Sequence, residues 1–513
     1  MEKSRTKNTI RNMKTGLIVQ LINRLMAFVV RTVFIRILNS EYLGVNGLFT
    51  NILTMLSFAE LGIGTAIIFN MYKPVAEEDK DKIKSLMALY KKSYNIIGIV
   101  VFIMGLCVIP FMSFIVKDAP NIKENLILIY LLFLINTSAS YFFTYKKSII
   151  SAHQQESVIN KINSVFYLVK SLLEIAFLVI TKNYIVYLFV AIVCTIIENI
   201  VIARKANKMF PYLKDKSVVK LAKDETSKIF LNVKSLVVYK LGSVIMNGTD
   251  NLLISILVNV STVGLCSNYT MVINAIKGIV TSALNGITAS IGNLNAVADK
   301  IKKEKIFYQF TFINFWIYSF CSTAFIIMLN PFIKLWLGEA YVLGIGVSIA
   351  LSVSFFIDGL RNPGYTYRVT LGLFEKGKLT PYIGATVNII LSIVLCKYFG
   401  VVGIFIATSI AQLASYSWID PYLIHKYEFK TPLRKYFVKY LQYFSTFVVI
   451  FLCCYFIQLK IGDLGLISFI LNAVSVCVVP NVVILLLYRK TEEFKEISGK
   501  VIRPMLKKLK LVK

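Results

Sequence analysis

Long apolar runs separated by short polar connections set the pattern of this chain. A helix needs about 20 mostly apolar residues to span the hydrocarbon of a bilayer, and runs of that length recur from end to end. The pattern predicts an all-α integral membrane protein with about fourteen transmembrane helices. The spans are expected near residues 15–38, 42–70, 93–116, 125–143, 162–180, 184–203, 235–258, 263–292, 306–329, 345–371, 381–396, 401–424, 441–457 and 465–488.

The polar connections alternate in charge along the chain. Most of the Lys and Arg residues lie in the N-terminal segment, in every second connection and in the C-terminal tail. Positive connections stay on the cytoplasmic side of a membrane, so both termini are expected there. The outer connections are short, and the longest, expected to begin at Asn330, holds no room for an extracellular domain.

A weak internal repeat links the first helices with a later part of the chain. One constant offset aligns Asn39 with Asn259 and Gly44 with Gly264, without a gap. Parallel repeats are typical of transporters, so two six-helix lobes around a central cavity are predicted. The expected parts are an N-terminal lobe at 1–203, a cytoplasmic linker at 204–234, a C-terminal lobe at 235–424, two additional helices at 425–488 and a basic tail at 489–513.

Composition narrows the function classes. Hydrophobic residues make up 57% of the chain, and 57 Lys and Arg against 27 Asp and Glu give a formal charge of +30. Such a balance suits nucleic acid or an anionic membrane surface, but the basic residues sit in short loops between spans, which favours membrane lipids and excludes nucleic acid. The two histidines, His153 and His425, are expected in loops, and no metal-binding or catalytic cluster is evident, so neither an enzyme nor a cofactor is predicted.

Several cations fall inside the predicted spans. Each costs about 2.5–3.5 kcal/mol at the bilayer centre unless it meets water, protein or an anion. Arg36 and Arg368 lie near span ends and are expected to extend to the interface. The remaining cations are candidates for binding an anionic substrate: Arg24, Arg31, Lys170, Lys240, Lys277 and Arg361.

The positions of these charged residues also predict which side chains share a helix face or form ion pairs. Arg24 and Arg31 are two turns apart, so they share one helix face. Lys170 stands one turn before Glu174, and the two side chains either neutralise each other or act separately. Asp420 is expected to have an interfacial role.

Polar groups at membrane depth suggest coupling to Na⁺ or H⁺. Side chains with oxygen and amide groups cluster in one helix, and two further acids lie in other spans. These groups either form an ion-binding site or make ordinary polar contacts between helices. The candidates are Asn247, Thr249, Asp250, Glu60 and Asp358. Asp358 lies shortly before Pro363, which is expected to interrupt its helix.

Three segments resemble Wzx-type polysaccharide flippases: YLGVNGLFTNILTMLSFAELGIGTAIIFNMYKPVAEEDKDKI from Tyr42, TDNLLIS from Thr249 and VNIILSIVLCKYFGVVGIFIATSIAQL from Val387. The resemblance implies the multidrug/oligosaccharidyl-lipid/polysaccharide exporter fold with alternating access. It also implies a bacterial cytoplasmic membrane protein that moves undecaprenyl-pyrophosphate-linked oligosaccharide to the outer leaflet for surface polysaccharide biosynthesis. Membrane lipids, a polysaccharide polymerase and glycosyltransferases are the partners it implies.

Two other functions remain open on the sequence. A drug or metabolite exporter of the same fold would favour acids over cations in its cavity. A membrane-embedded polysaccharide polymerase would need a large outer loop or acidic catalytic residues at the interface, and neither pattern is found.

Overall fold

The computed structural model describes residues 2–57, 63–117, 120–215, 248–373, 375–462 and 465–499, with isolated positions 221, 227, 242 and 244–246. Within these ranges the chain is helical and contains no strand. Their contacts form two compact units, Met1–Gly264 and Leu265–Lys513, called here the first and second unit. The predicted linker at 204–234 lies mostly outside the described residues, and the predicted domain boundaries stay predictions.

Among the described residues of the first unit, seven longer helices lie before residue 216. They are α1 (Glu2–Ile37), α2 (Ser40–Leu56), α3 (Ile63–Ala76), α4 (Lys80–Leu106), α5 (Leu126–Thr144), α6 (Glu156–Thr181) and α7 (Tyr184–Met209). Buried residues of α3, α4, α5, α6 and α7 form a core that includes Tyr90 and Tyr94. Polar caps begin several of these helices; Asn125 and Asn183, for example, accept hydrogen bonds from the first-turn amides of α5 and α7.

The eighth helix, α8 (Val260–Val297), continues into the second unit. That unit also contains α9 (Lys300–Leu337), α10 (Ile345–Thr370), α11 (Thr380–Phe399), α12 (Val401–Ala414), α13 (Tyr416–Ile424), α14 (Arg434–Ile461), α15 (Leu466–Tyr488) and the short α16 (Glu492–Ile497). The last two long helices pack on α9, where the ring of Phe315 stacks on Tyr443 with centroids 4.4 Å apart.

Eleven helices among the described residues are long and apolar enough to cross a membrane. They match eleven of the predicted spans, and the all-α membrane fold is confirmed. The other three predicted spans, 15–38, 42–70 and 235–258, fall partly on residues or side chains outside the described part. The total of about fourteen therefore stays a prediction.

One expectation about proline is wrong, and one helix is longer than expected. Pro363 does not interrupt its helix, because α10 runs from Ile345 to Thr370 with this residue inside. Proline removes one backbone hydrogen bond, and the packing of α10 against α9, α12 and α13 holds the helix together around that gap. α9 continues through Pro331, past the expected start of the outer connection at Asn330, and ends at Leu337; the next residue, Gly338, has a φ of +100° that suits glycine.

The repeated asparagines have the same local role. Asn39 accepts hydrogen bonds from the amides of Glu41 and Tyr42 at the start of α2. Asn259 accepts one from the amide of Thr262 at the start of α8. Both side chains satisfy amides that have no partner within their own helix, which is the function of a helix N-cap.

The repeated glycines meet where these two helices cross. A Cβ atom on Gly44 would overlap the carbonyl of Val260, and one on Gly264 would overlap the carbonyl of Ser40. Each glycine thus lies against the first turn of the other helix. We call this contact the glycine crossing; it gives the weak sequence repeat a structural counterpart.

Ion pairs tie several helices together at one end of the second unit. Three of the pairs join the start of α9 to the segment after α13, to the start of α14 and to α16, and the fourth joins α14 to α16. The pairs are Lys303–Glu428, Lys305–Glu492, Lys435–Glu304 and Lys439–Glu493. Each of these pairs is neutral, so the contacts link helix ends without adding net charge.

Reporter fusions test the orientation that the charges of the connections predict. Fusions after Lys80, Lys302 and Lys435 should report the cytoplasm, and a fusion after Pro120 should report the outside, because an odd number of predicted spans separates Pro120 from each. Alkaline phosphatase and green fluorescent protein give opposite readouts of the two sides. An outside signal at Lys302 would contradict the predicted orientation.

Candidate functional site

Polar residues line one face of α8 and one face of α10. On α8, Lys277, Thr281 and Thr288 recur at helical spacing; on α10, Asp358 and Arg361 do the same. These faces border a cavity of about 110 Å³, room for a few water-sized groups. Its lining residues are Lys277, Thr281, Leu284, Thr288, Tyr318, Asp358, Arg361, Asn362 and Tyr365.

One carboxylate sits between two cations at this cavity. Lys277 Nζ lies 2.6 Å from Asp358 Oδ2, and Arg361 Nη1 lies 3.5 Å from Asp358 Oδ1. We call these three side chains the cation cluster. It carries a net charge of +1, and its cations keep 44% and 20% of their side-chain surface accessible. A site with surplus positive charge at a cavity attracts anions.

Neighbouring side chains hold the cluster in position. The guanidinium of Arg361 lies 3.8 Å from the centroid of the Tyr416 ring, a close cation–π contact. Asn362 donates a hydrogen bond to Asn314 of α9 at 3.2 Å. Gly359 lets Tyr318 pack directly on α10, since a Cβ atom there would overlap the ring.

Candidates in the first unit lie on α1 and α6. α1 is continuous through Arg24 and Arg31, so both occur on nearly the same face; Arg24 is exposed and Arg31 half-buried. Lys170 Nζ lies 3.6 Å from a carboxylate oxygen of Glu174, and Glu174 keeps only 7% of its side chain accessible. The structure therefore contains the neutralising pair that the sequence left open.

Other candidates are only partly described. Lys240, Asn247 and Glu60 lie outside the described residues. Thr249 is buried, and its hydroxyl donates to the carbonyl of Ile245 at 3.0 Å; Asp250 is half-buried. Within the described part of the chain, no group of three or more His, Cys, Asp or Glu residues could hold a metal ion. The ion-coupling role of these residues stays a prediction.

Arg368 and Asp420 form an ion pair that the sequence did not predict. Arg368 Nη1 lies 3.2 Å from Asp420 Oδ1, and neither side chain has any accessible surface. The same nitrogen donates to the carbonyl of Gly377, in the turn after α10, at 3.2 Å. Both expectations of an interfacial position were wrong, because α13 and this turn cover a helix end that the sequence pattern places near the surface.

His425 was expected in a loop and is buried instead. It begins a short π-helical segment, His425–Phe429, directly after α13. Its Nδ1 lies 2.8 Å from the carbonyl of Pro421, and its Nε2 lies 3.2 Å from the hydroxyl of Tyr308. A carbonyl only accepts, so Nδ1 donates to Pro421, and both ring nitrogens have partners that hold the buried ring in a packing role.

Solved transporter structures share this fold. The lipid II flippase MurJ in an inward closed conformation aligns with a TM-score of 0.65 at 16% identity, over 93% of this chain and 99% of that one. An inward-facing multidrug resistance MATE family transporter of the MOP superfamily gives 0.60 at 15% identity, over 79% and 98%. A MOP superfamily transporter from Pyrococcus furiosus gives 0.54 at 13%, over 82% and 95%.

Sequence comparison gives the family. No curated protein sequence matches this chain. The family model described as polysaccharide biosynthesis protein matches residues 10–287, which is more than half of the chain. The superfamily expected from the resemblance is confirmed, while the Wzx-type subfamily stays a prediction. The chain is a multi-pass membrane protein that belongs to the polysaccharide biosynthesis protein family.

Proposed function

We propose that the protein is a flippase that moves undecaprenyl-pyrophosphate-linked oligosaccharide units from the cytoplasmic to the outer leaflet of the bacterial cytoplasmic membrane, by alternating access and without catalysis. The observation that carries the proposal is the cation cluster, with its net positive charge beside a polar cavity between membrane helices. A diphosphate is the charged part of such a substrate, and Lys and Arg are its usual ligands.

The two cations of the cluster suit different parts of a diphosphate. Arg361 presents a planar fork of donors, supported from behind by the Tyr416 ring, so it suits two oxygens of one phosphate. Lys277 is a flexible point charge that follows a moving anion. Arg24 and Arg31 are assigned the same task in the first unit, and Lys170 and Lys240 are assigned to it from the sequence.

The family supports this substrate class more than the rival one. The family model described as polysaccharide biosynthesis protein covers residues 10–287, and a lipid-linked sugar unit is a substrate that fits this description. A drug exporter of the same fold remains the alternative, because the MATE transporter structure is also similar. Organic cations would be repelled by a site of net positive charge, so the cluster favours an anionic substrate.

Substitution of the cluster cations tests the proposal. Lys277→Ala and Arg361→Ala should each lower export of surface polysaccharide by roughly tenfold or more, because each removes an ionic hydrogen bond worth about 1.5–3 kcal/mol to the diphosphate. Export is measured by complementing a flippase-deficient strain, with the amount of membrane-inserted protein measured in parallel. Lys334→Ala is the matched control, since Lys334 forms an exposed pair with Glu339 at the far end of α9.

Full export by a well-inserted Lys277→Ala, Arg361→Ala double variant would reject the cationic site. Proteoliposomes then decide between the two substrate classes. Flipping of undecaprenyl-pyrophosphate oligosaccharide supports the proposal, whereas efflux of organic cations without such flipping supports the exporter.

A further inference from the structure

The cation cluster contains its own anion. Each oxygen of Asp358 faces one cation: Oδ2 faces Lys277 at 2.6 Å, and Oδ1 faces Arg361 at 3.5 Å. A carboxylate and a phosphate offer oxygens of the same kind to Lys and Arg. Any anion that binds both cations through these donors must therefore compete with Asp358.

The three side chains are not equally fixed. Arg361 has a second support in the Tyr416 ring, 3.8 Å from its guanidinium, which holds it in place when the carboxylate turns away. Lys277 extends from α8 and reaches Asp358 with the end of a long, flexible side chain. The cavity borders all three groups, so an arriving anion meets them together.

We propose that Asp358 is an exchangeable counter-ion: its carboxylate is displaced from Lys277 and Arg361 by a phosphate oxygen of the ligand and returns to expel that ligand. The carboxylate thereby weakens binding and speeds release. The identity of the ligand as a lipid-linked diphosphate rests on the proposed function, whereas the exchange itself requires only phosphate chemistry. In this role Asp358 responds to an anion, in contrast to the Na⁺ or proton expected from the sequence.

Exchange has an advantage for a transporter. Two unpaired cations would bind a diphosphate tightly and release it slowly. A transporter that binds its substrate equally tightly in every conformation does not release it on the other side. A competing carboxylate lowers the affinity for the diphosphate. It also gives both cations a counter-charge within the membrane, where an isolated charge is costly.

Pyrophosphate binding tests the exchange. The full chain is purified in detergent, and its affinity for inorganic pyrophosphate is measured by isothermal titration calorimetry at fixed salt. Asp358→Asn should bind pyrophosphate roughly tenfold more tightly than the unchanged protein, because one charge-assisted competitor is removed. Lys277→Gln should bind it more weakly by a similar factor. Glu375→Gln is the matched acid-to-amide control, in an exposed pair with Lys378, and should not change the affinity.

A double variant provides the test if the single variant does not fold. If Asp358→Asn does not accumulate, Lys277→Gln is compared with Lys277→Gln, Asp358→Asn, in which the cluster again has a net charge of +1. Exchange predicts tighter pyrophosphate binding by the double variant. Equal affinities of these two proteins would overturn the proposal, and so would an Asp358→Asn protein of unchanged melting temperature that binds no more tightly.

Competition identifies the source of the phosphate. If undecaprenyl pyrophosphate displaces inorganic pyrophosphate, the ligand is the lipid carrier, and both proposals are supported. If only inorganic phosphate displaces it while Asp358→Asn still binds more tightly, exchange at Asp358 stands and the proposed flippase function is rejected.

Discussion

Asp420→Ala should destabilise the folded protein by about 3–5 kcal/mol, because it leaves the guanidinium of Arg368 buried without its counter-charge. Both side chains of this pair are fully buried, so water cannot replace the missing carboxylate. The carbonyl of Gly377 remains as an acceptor for Arg368, but it carries no full charge. The loss is measured as the change in unfolding free energy in mixed micelles and as the amount of inserted protein.

A charge-free replacement of the pair separates its electrostatic and packing contributions. Arg368→Met with Asp420→Leu should recover most of the stability, since apolar residues of similar volume often replace a buried ion pair without loss. Glu375→Ala is the control, because its pair with Lys378 is exposed and contributes about 0–1 kcal/mol. If Asp420→Ala and Glu375→Ala lower the unfolding free energy by the same amount, Arg368 and Asp420 do not form a buried ion pair.

Gly44→Ala and Gly264→Ala should each destabilise the protein by about 1–3 kcal/mol, the usual cost of an extra methyl group in a packed interior. At the glycine crossing the new Cβ atom would overlap a backbone carbonyl, of Val260 in one case and Ser40 in the other. A carbonyl at the start of a helix cannot rotate away as a side chain would, so α2 and α8 must separate. Melting temperature in detergent reports the loss.

Gly47→Ala is the matched control on the same helix. A Cβ atom on Gly47 would lie 3.5 Å from the nearest atom, a side-chain carbon of Val263, which is an ordinary contact. Alanine also favours a helix over glycine by about 1 kcal/mol, so this variant should be neutral or stabilised. If Gly44→Ala and Gly47→Ala melt at the same temperature, α2 and α8 do not cross as closely as described.

The helices were the most predictable part of the fold, because hydrocarbon thickness imposes a length that a sequence displays directly. Their ends were less predictable. α9 extends through Pro331 and α10 through Pro363, since neighbouring helices compensate for the hydrogen bond that proline removes. A local rule about proline contains no information about those neighbours.

The candidate site was predictable as a set of residues and not as an arrangement. The sequence identifies three charged residues in predicted spans, where an isolated charge is costly: Lys277, Asp358 and Arg361. Their pairing was not predicted, because it depends on which faces of α8 and α10 approach each other. Thr281 and Thr288 were missed, although each follows Lys277 at the spacing of the same helix face.

Arg368 shows the limit of judging depth from sequence position alone. Its place near the end of a span correctly gave its height along α10, but accessibility depends on what covers that end. Here α13 and the turn after α10 cover it, and Asp420 supplies the counter-charge. The signal that the sequence contains is Asp420, an acid in another apolar run.

The glycine crossing also obeys the rule of a two-fold symmetric dimer interface, although it lies within one chain. In such an interface, residue i of one subunit contacts residue j of the other, and residue j of the first subunit contacts residue i of the other. Gly44 contacts Val260 and Gly264 contacts Ser40, and the repeat offset converts one contact into the other. In a homodimer a mutation would alter both contacts at once. In this fused chain each glycine can change alone, so natural selection can make the two contacts unequal.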